Sequence, residues 1–256
     1  MAGGIDQTVR KVCLWLPEAQ EFVSHGSPNF RVRGKTFATY VVNHHGDGRV
    51  ALWLNAPQGS QELHVRAEPE HFFVPPYVGP RGWLGVNLDR GIDWHKIAAL
   101  VREGYEKVAP SQLKLRIGKT PKLKAPTTRL RASRIDPFES PRARAVLKKL
   151  RPICLRFPES SEGRQFGSPA WLAGKRTFAI ARYAADRLTL CFWVGVDQQG
   201  LLTADSRYQV PPYFGHNGWI SLDVAAACDW DEVAGLADCS YRHFALKRML
   251  REFGGD

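Results

Sequence analysis

The chain has 256 residues and a hydrophobic fraction of 44%, with eight tryptophans, so its composition predicts packed cores and excludes a disordered chain. No run approaches the roughly 18 apolar residues that cross a bilayer, and the first residues lack the apolar stretch of a secretory signal, so we expect a soluble, cytoplasmic protein. The formal net charge of +11 favours a polyanionic partner if the excess is concentrated in one place.

The first predicted element is a helix near the N-terminus. Ile5, Val9, Val12 and Leu16 recur at the spacing of one helix face. Asp6 lies at the start of this stripe, and we expect it to be the N-cap.

Strands and a second helix follow in the first half. The stretches "KTFATYVV" (35–42) and "RVALWL" (49–54) are rich in β-branched and aromatic residues, and "NHHGDG" between them is typical of a hairpin turn. A further strand is predicted for "GWLGVNL" (82–88). A helix with one buried stripe is predicted behind Asp93. The stripe consists of Trp94, Ile97, Val101, Tyr105 and Val108.

The positive charge lies in one segment. Residues 111–151 hold 13 basic and 2 acidic residues, a net of +11. Residues 1–110 hold 12 basic and 11 acidic residues, and residues 152–256 hold 11 and 12. The two halves are therefore close to neutral.

This basic segment is also rich in proline, and it predicts a linker. A highly charged stretch with few aromatic residues does not form a core, so we expect residues 113–139 to be extended or mobile. The linker then separates a domain at 1–112 from a domain at 140–256. Ser140, followed by Pro141, is typical of a helix start and opens the second domain.

The second half repeats the first. "CLWLPEAQEFVSHGSPNF" (13–30) aligns with "CLRFPESSEGRQFGSPAW" (154–171), and "VPPYVGPRGW" (74–83) aligns with "VPPYFGHNGW" (210–219). The predicted strands recur in the same order, and so does the closing helix, here behind Asp229. The sequence therefore predicts a tandem duplication of one α+β domain.

The repeated Pro-Pro-Tyr phrase has two interpretations. Pro-Pro stiffens the backbone, and Gly79 and Gly82 permit a positive φ or a close backbone approach. In the structural interpretation the turn places Trp83 in the core. In the functional one Tyr77, Trp83 and Arg81 line a groove for a planar or anionic ligand.

The order "G-S-P-x-[FW] … GKxFA … Y-x-G-x-x-G-W-[LI] … DW-x-[EK]-[IV]" resembles the MmcQ/YjbR family of small bacterial domains, over roughly 13–110 and 145–250. The resemblance implies a compact sandwich of an antiparallel sheet with helices on one face, similar to CyaY-like and double-wing folds. It also implies a DNA-binding surface, without agreed catalytic residues. The second copy departs from the pattern at Ala173, at the inserted Arg176 and at His216 and Asn217.

The first functional hypothesis is sequence-independent binding of DNA or RNA through the linker. Regularly spaced cations neutralise phosphates, and such binding depends strongly on salt. The alternative is a solvated tether that its charge keeps extended. Lys35 and Arg81 are the candidate anion contacts on the domains. The linker candidates are Lys114, Arg116, Lys119, Lys122, Lys124, Arg129, Arg131 and Arg134.

Two alternative functions use the domains themselves. One is small-molecule binding or sequestration in a ligand groove formed by Tyr77 and Trp83 in the first copy and by Tyr213 and Trp219 in the second. The other is a protein-interaction adaptor, because duplication presents two like surfaces to two like partners.

Enzymatic motifs are absent from the sequence. It has no G-x-S-x-G, P-loop, H-E-x-x-H or G-x-G-x-x-G pattern. We therefore expect a non-enzymatic protein without a cofactor or a metal site. The five cysteines are expected to be buried, reduced thiols, with a redox role of Cys228 or Cys239 as the alternative.

Overall fold

The computed structural model describes residues 4–126, 130–184, 187–224 and 228–254. Its chain divides into two compact units. The first comprises residues 1–44 and 48–135, and the second comprises residues 45–47 and 136–256. In each unit the described residues form a six-stranded antiparallel sheet with helices, so the predicted pair of α+β copies is confirmed.

In the first unit, strands and helices follow one another in an α+β order. In chain order they are α1 (Ile5–Leu14), β1 (Gln20–Ser24), β2 (Ser27–Val32), β3 (Lys35–Val42), β4 (Val50–Leu54), α2 (Ser60–Ala67), β5 (Phe72–Phe73), β6 (Leu84–Asn87), α3 (Trp94–Val108), α4 (Ser111–Lys114) and α5 (Ala132–Ile135).

The sheet of the first unit has the strand order β1-β2-β3-β4-β6-β5. Successive side chains of a strand point to opposite faces, and β4 shows the consequence. Val50, Leu52 and Leu54 join the main core with the helices, whereas Ala51 and Trp53 join a smaller apolar cluster. The sheet therefore buries apolar residues on both faces.

Helix α1 starts earlier than the sequence predicts. Gly4 is its N-cap, and the backbone N–H of Thr8 donates to the Gly4 carbonyl at 3.1 Å, so Asp6 already lies in the first turn. The prediction of Asp6 as the cap is wrong. Its carboxylate instead lies 3.5 Å from the guanidinium of Arg10, one turn along the helix.

Helix α3 has the start and the buried stripe that the sequence predicts. The Asp93 carboxylate accepts from the backbone N–H of His95 at 3.0 Å. The stripe from Trp94 to Tyr105 is buried against the sheet. The Tyr105 ring meets Phe37 of β3 edge to face, with ring centroids 5.5 Å apart.

The second unit repeats this order of elements. They are α6 (Pro141–Leu155), β7 (Ser160–Gln165), β8 (Ser168–Ala173), β9 (Arg176–Ala184), β10 (Arg187–Trp193), α7 (Val196–Leu202), β11 (Tyr208–Gln209), β12 (Trp219–Asp223), α8 (Trp230–Phe244) and α9 (Lys247–Glu252).

The strand order of the second sheet, β11-β12-β10-β9-β8-β7, is that of the first sheet counted from the opposite edge. The helix starts also agree with the sequence. Ser140 caps α6 by accepting from the Ala143 N–H, and Asp229 caps α8 by accepting from the Asp231 N–H. The duplication therefore extends to topology and to local hydrogen bonding.

Candidate nucleic-acid interface

Residues 113–135, which we call the basic belt, belong to the first unit. Leu113 is buried in the main core of that unit, and further apolar side chains of the belt pack partly buried against it. Residues 118–126 have no regular secondary structure. The segment is too poor in apolar residues to form a core of its own, but a few spaced apolar side chains suffice to hold it on an existing one. The packed side chains after Leu113 are Ile117, Leu123, Leu130 and Ile135.

Polar contacts also hold the basic belt in place. The Lys11 ammonium on α1 donates to the Lys122 carbonyl at 2.8 Å. Arg116 lies 3.3 Å from the Glu18 carboxylate. Farther along, the belt forms one wall of a cavity of about 230 Å³. Its lining includes Ala125 and Pro126 of the belt with Ile5, Leu88 and Trp94.

The cations of the basic belt point away from the core. Lys122 and Lys124 are exposed on either side of the partly buried Leu123, as expected for an extended chain whose side chains alternate between two sides. Among the predicted linker cations that the structure describes, Arg116 has a carboxylate partner and six others make no ion pair. Arg129 lies outside the described residues. The six are Lys114, Lys119, Lys122, Lys124, Arg131 and Arg134.

The two candidate cations outside the belt lie at the same end of the first sheet. Lys35 begins β3, and Arg81 shortly precedes β6. Both strands run antiparallel to β4 between them, so their first residues are at one end. Both side chains are exposed. The start of the belt lies near Lys35, because the Glu18 carboxylate contacts both Arg33, two residues before Lys35, and Arg116 of the belt.

The two tyrosines of the repeated phrase share an unusual backbone conformation. Tyr77 has a φ of 63° and Tyr213 a φ of 75°. A bulky side chain rarely adopts this left-handed region, and such strain costs about 1–3 kcal/mol. Yet the side chains stay outside the core, with 67% of Tyr77 and 86% of Tyr213 exposed. Core packing therefore does not explain the strain.

The two tryptophans of the phrase lie in a different environment. Trp219 is 8% exposed and belongs to an apolar cluster with Ile180 and Cys191. Trp83 is partly buried against the corresponding cluster of the first unit. The tyrosine and tryptophan of each copy thus differ in exposure.

In the first unit the Tyr77 ring meets the His44 ring edge to face. His44 in turn meets Trp53 of the apolar cluster of that unit. A ligand groove of Tyr77 with Trp83 in the first copy, and of Tyr213 with Trp219 in the second, stays a prediction.

A glutamine braces each copy of this loop. The side-chain amide of Gln61 on α2 donates to the carbonyls of Gly79 and Trp83, at 2.9 and 2.5 Å. Gln199 on α7 donates to the carbonyls of Gly215 and Trp219, both at 2.6 Å. The sequence alignment misses this pair because the copies differ in length just before the loop. Their presence in both copies shows that the loop conformation is specifically supported.

The first glycine of the loop is required by a close approach. A Cβ atom on Gly79 would lie 2.5 Å from Cγ1 of Val74, and one on Gly215 would lie 2.4 Å from Cγ1 of Val210. The second glycine of each copy has a positive φ, 80° in Gly82. The sequence-based explanation of these glycines by close approach and positive φ is confirmed.

The cysteine thiols are held protonated by their surroundings. Burial raises the pKa of Cys13, Cys154 and Cys191, which are the buried free thiols. Cys228 is partly buried and Cys239 is exposed, and partial burial raises the pKa of both. Little thiolate is therefore present at neutral pH, which disfavours nucleophilic or redox chemistry at these sites.

A larger cavity in the second unit has a balanced charge. It measures about 600 Å³ and lies beside α6 and β7. Three arginines line it, and each contacts a carboxylate, so the cavity holds no excess positive charge for an anion. The pairs are Arg144 with Glu139, Arg151 with Glu162 and Arg164 with Asp136.

One group of possible metal ligands occurs within the described ranges. Ligand atoms of Glu68, Glu70 and His71 lie within 4.8 Å of one another. The Glu68 carboxylate already contacts the Lys96 ammonium, which lowers the pKa of Glu68. A cation at this place would have to compete with that ammonium. Over the same part of the chain, no helix has the length and apolar character to cross a membrane.

The match to a protein-family model agrees with the duplication. The YjbR family model matches twice, over residues 14–107 and 155–243. Among solved structures, protein DR2400 of Deinococcus radiodurans, which has a DUF419 domain, is similar at 19% identity and a TM-score of 0.37. That similarity covers 49% of this chain and 96% of the other. No curated protein matches the chain.

Proposed function

The chain belongs to the YjbR family as a tandem of two domains, and from this premise we propose that it is a non-enzymatic protein that binds nucleic acid through its basic belt. The binding is independent of base sequence, because lysine and arginine side chains that neutralise phosphates do not contact base edges. The observation that carries the proposal is the arrangement of the belt, in which five of its six large apolar residues pack on the first unit, with Leu115 the exposed one, and the described cations are exposed.

Docking of the belt supports tight phosphate binding. A free tether loses conformational entropy when it binds, and this loss weakens its affinity. A segment already held in place by Leu113 and Leu123 has lost much of that entropy on folding, so it loses less on binding. Because the side chains of Lys122 and Lys124 are exposed beside Leu123, the packed residues and the cations do not compete for the same surface.

Most of the described cations of the belt make no ion pair, which also supports the proposal. A cation that already pairs with a carboxylate must give up that contact to bind a phosphate, as Arg116 must with Glu18. The six exposed cations described above have no such contact to lose. Each phosphate that they neutralise releases condensed counterions, which favours binding at low salt.

The non-enzymatic part of the proposal is supported by the roles of the polar groups that recur in both units. Asp93 and Asp229 accept hydrogen bonds at helix starts. Tyr105 and Tyr241 donate to backbone carbonyls. These repeated groups are engaged in holding the fold, and the raised pKa of the thiols disfavours cysteine nucleophiles.

The test is a salt titration of DNA binding by the full chain and by two charge-matched triple variants. The belt variant carries Lys119→Gln, Lys122→Gln and Lys124→Gln. Each lost phosphate contact lowers the slope of log affinity against log salt by about 0.9, so we expect a reduction of about 2 to 3 and a large loss of affinity at low salt.

The control variant removes the same charge from exposed positions of the second unit, with Lys148→Gln, Lys247→Gln and Arg251→Gln. We expect it to keep a slope close to that of the unmodified chain. An equal loss in both variants would assign binding to net charge alone. Failure of the unmodified chain to bind DNA or RNA at low salt would refute the proposal.

A further inference from the structure

The exposed tyrosines of the two units are held rigidly. Pro75 and Pro76 precede Tyr77 and restrict the backbone on that side. On the other side, the N–H of Gly79 donates to the Pro75 carbonyl at 2.9 Å, and Gln61 braces the loop from α2. The second unit repeats these contacts around Tyr213. Each loop therefore presents an aromatic ring from a fixed backbone.

Each ring lies in an exposed apolar patch. Val74 is 53% exposed and Val210 is 52% exposed, and each precedes its tyrosine by three residues. The second proline of each loop is exposed as well. Large apolar side chains are exposed at the same place in both copies, which indicates an interaction surface rather than chance exposure.

In each unit an arginine side chain lies over an aromatic ring that adjoins a residue of the patch in sequence. In the first unit the Arg49 guanidinium lies 4.3 Å from the ring centroid of Phe73, in the cluster that Trp83 packs against. In the second unit the Arg182 guanidinium lies 5.1 Å from the ring centroid of Phe214, the residue after Tyr213. An exposed aromatic ring beside cations is the combination with which proteins bind single-stranded nucleic acid.

We propose that Tyr77 and Tyr213 are stacking platforms for unpaired bases, so that single-stranded nucleic acid is the preferred ligand of the chain. This inference rests on the proposed function, since the belt supplies the contacts to phosphates. The bases of a duplex are stacked on one another and hide their faces, whereas the bases of a single strand are free to stack on an aromatic side chain. The tyrosines therefore add affinity for one form of nucleic acid and not for the other.

The test compares a labelled mixed-sequence DNA single strand with its duplex, using the full chain over a range of salt concentrations. The test variant carries Tyr77→Gly and Tyr213→Gly, and the control carries Tyr77→Phe and Tyr213→Phe. Glycine adopts the positive φ of these positions without strain, which offsets part of the lost ring contacts, such as that of Tyr77 with His44, so the test variant should stay folded; its melting temperature is measured alongside.

We expect the glycine variant to bind the single strand about tenfold or more weakly, with unchanged duplex affinity and an unchanged salt slope. The phenylalanine variant keeps the rings and should bind like the unmodified chain. Undiminished single-strand binding by the glycine variant, or an equal loss for both nucleic acids, would overturn the stacking role.

These outcomes separate the two proposals. If the tyrosines are not platforms but the belt binds phosphate, the lysine-to-glutamine variant of the belt still loses salt slope while the glycine variant shows no selective loss. If the proposed function itself fails, neither form of nucleic acid binds at low salt.

Discussion

Two buried tyrosines, Tyr105 and Tyr241, make the same hydrogen bond in the two units. The Tyr105 hydroxyl donates to the Pro17 carbonyl at 2.7 Å, and the Tyr241 hydroxyl donates to the Pro158 carbonyl at 2.8 Å. Each bond ties the last long helix of its unit to the turn between the first helix and the first strand. The proline carbonyl that follows helix α1 or α6 thereby gains a side-chain hydrogen-bond donor in place of a backbone N–H.

Replacing either tyrosine by phenylalanine removes one hydrogen bond and keeps the ring. We expect Tyr105→Phe and Tyr241→Phe each to lower the free energy of unfolding by about 1 kcal/mol, measured by urea denaturation. Tyr213→Phe is the control, because its side chain is 86% exposed. Equal effects of Tyr105→Phe and Tyr213→Phe would show that the buried hydrogen bond contributes nothing.

At the residue scale, the sequence predicts groups whose partners are close in the chain. Asp93, Ser140 and Asp229 cap helices as expected, because a cap needs only the next two or three backbone N–H groups. The left-handed conformation of Tyr77 and Tyr213 was not predicted. It depends on the brace from a distant helix and on packing around the loop, which the spacing of residues does not reveal.

The short helices α2 and α7 are the elements that support the repeated loops. Each is seven or eight residues long and contributes little to the core by itself. In α2 the side-chain amide of Gln61 donates to two carbonyls of the loop, and these hydrogen bonds explain why the helix lies beside the loop. An element of this kind holds another element rather than burying apolar surface.

We expect Gln61→Ala to lower the free energy of unfolding by about 1 to 3 kcal/mol, because it removes the side-chain donor to the Trp83 carbonyl and one of the two donors to the Gly79 carbonyl. Glu62→Ala is the matched control, since Glu62 is the next residue of the same helix and is exposed. Chemical denaturation of the two variants is the measurement. A Gln61→Ala chain as stable as the Glu62→Ala chain would contradict the role of the brace.

At the element scale, the sequence predicts the strong strands and the long helices but misses several short elements. Strands β3, β4 and β9 follow from their β-branched and aromatic residues. Strand β7 consists of polar residues and a glycine at a sheet edge, and the edge strand β1 has only Phe22 and Val23 as apolar residues, so their composition gives little strand signal. These edge strands form because they hydrogen-bond to the neighbouring strand. The pattern of their own residues does not reveal that partner.

The whole molecule combines two nearly neutral domains with one strongly basic segment. The sequence predicts the duplication, the location of the charge and the cations that carry it. It does not predict that residues 113–135 dock on the first unit, because that docking depends on a few apolar residues meeting a surface built by other parts of the chain. Docking changes the expected behaviour of the segment from a tether to a fixed surface of positive charge.

The rate of tryptic cleavage between Lys122 and Leu123 tests this docked belt most directly. Trypsin needs the chain around the cleaved bond to be free, so a docked segment is cut only from its open state. In the full chain without nucleic acid, we expect cleavage at least about tenfold slower than in a free peptide of residues 113–135, which corresponds to about 1.4 kcal/mol of docking free energy. Cleavage of the full chain at the rate of the free peptide would contradict the account.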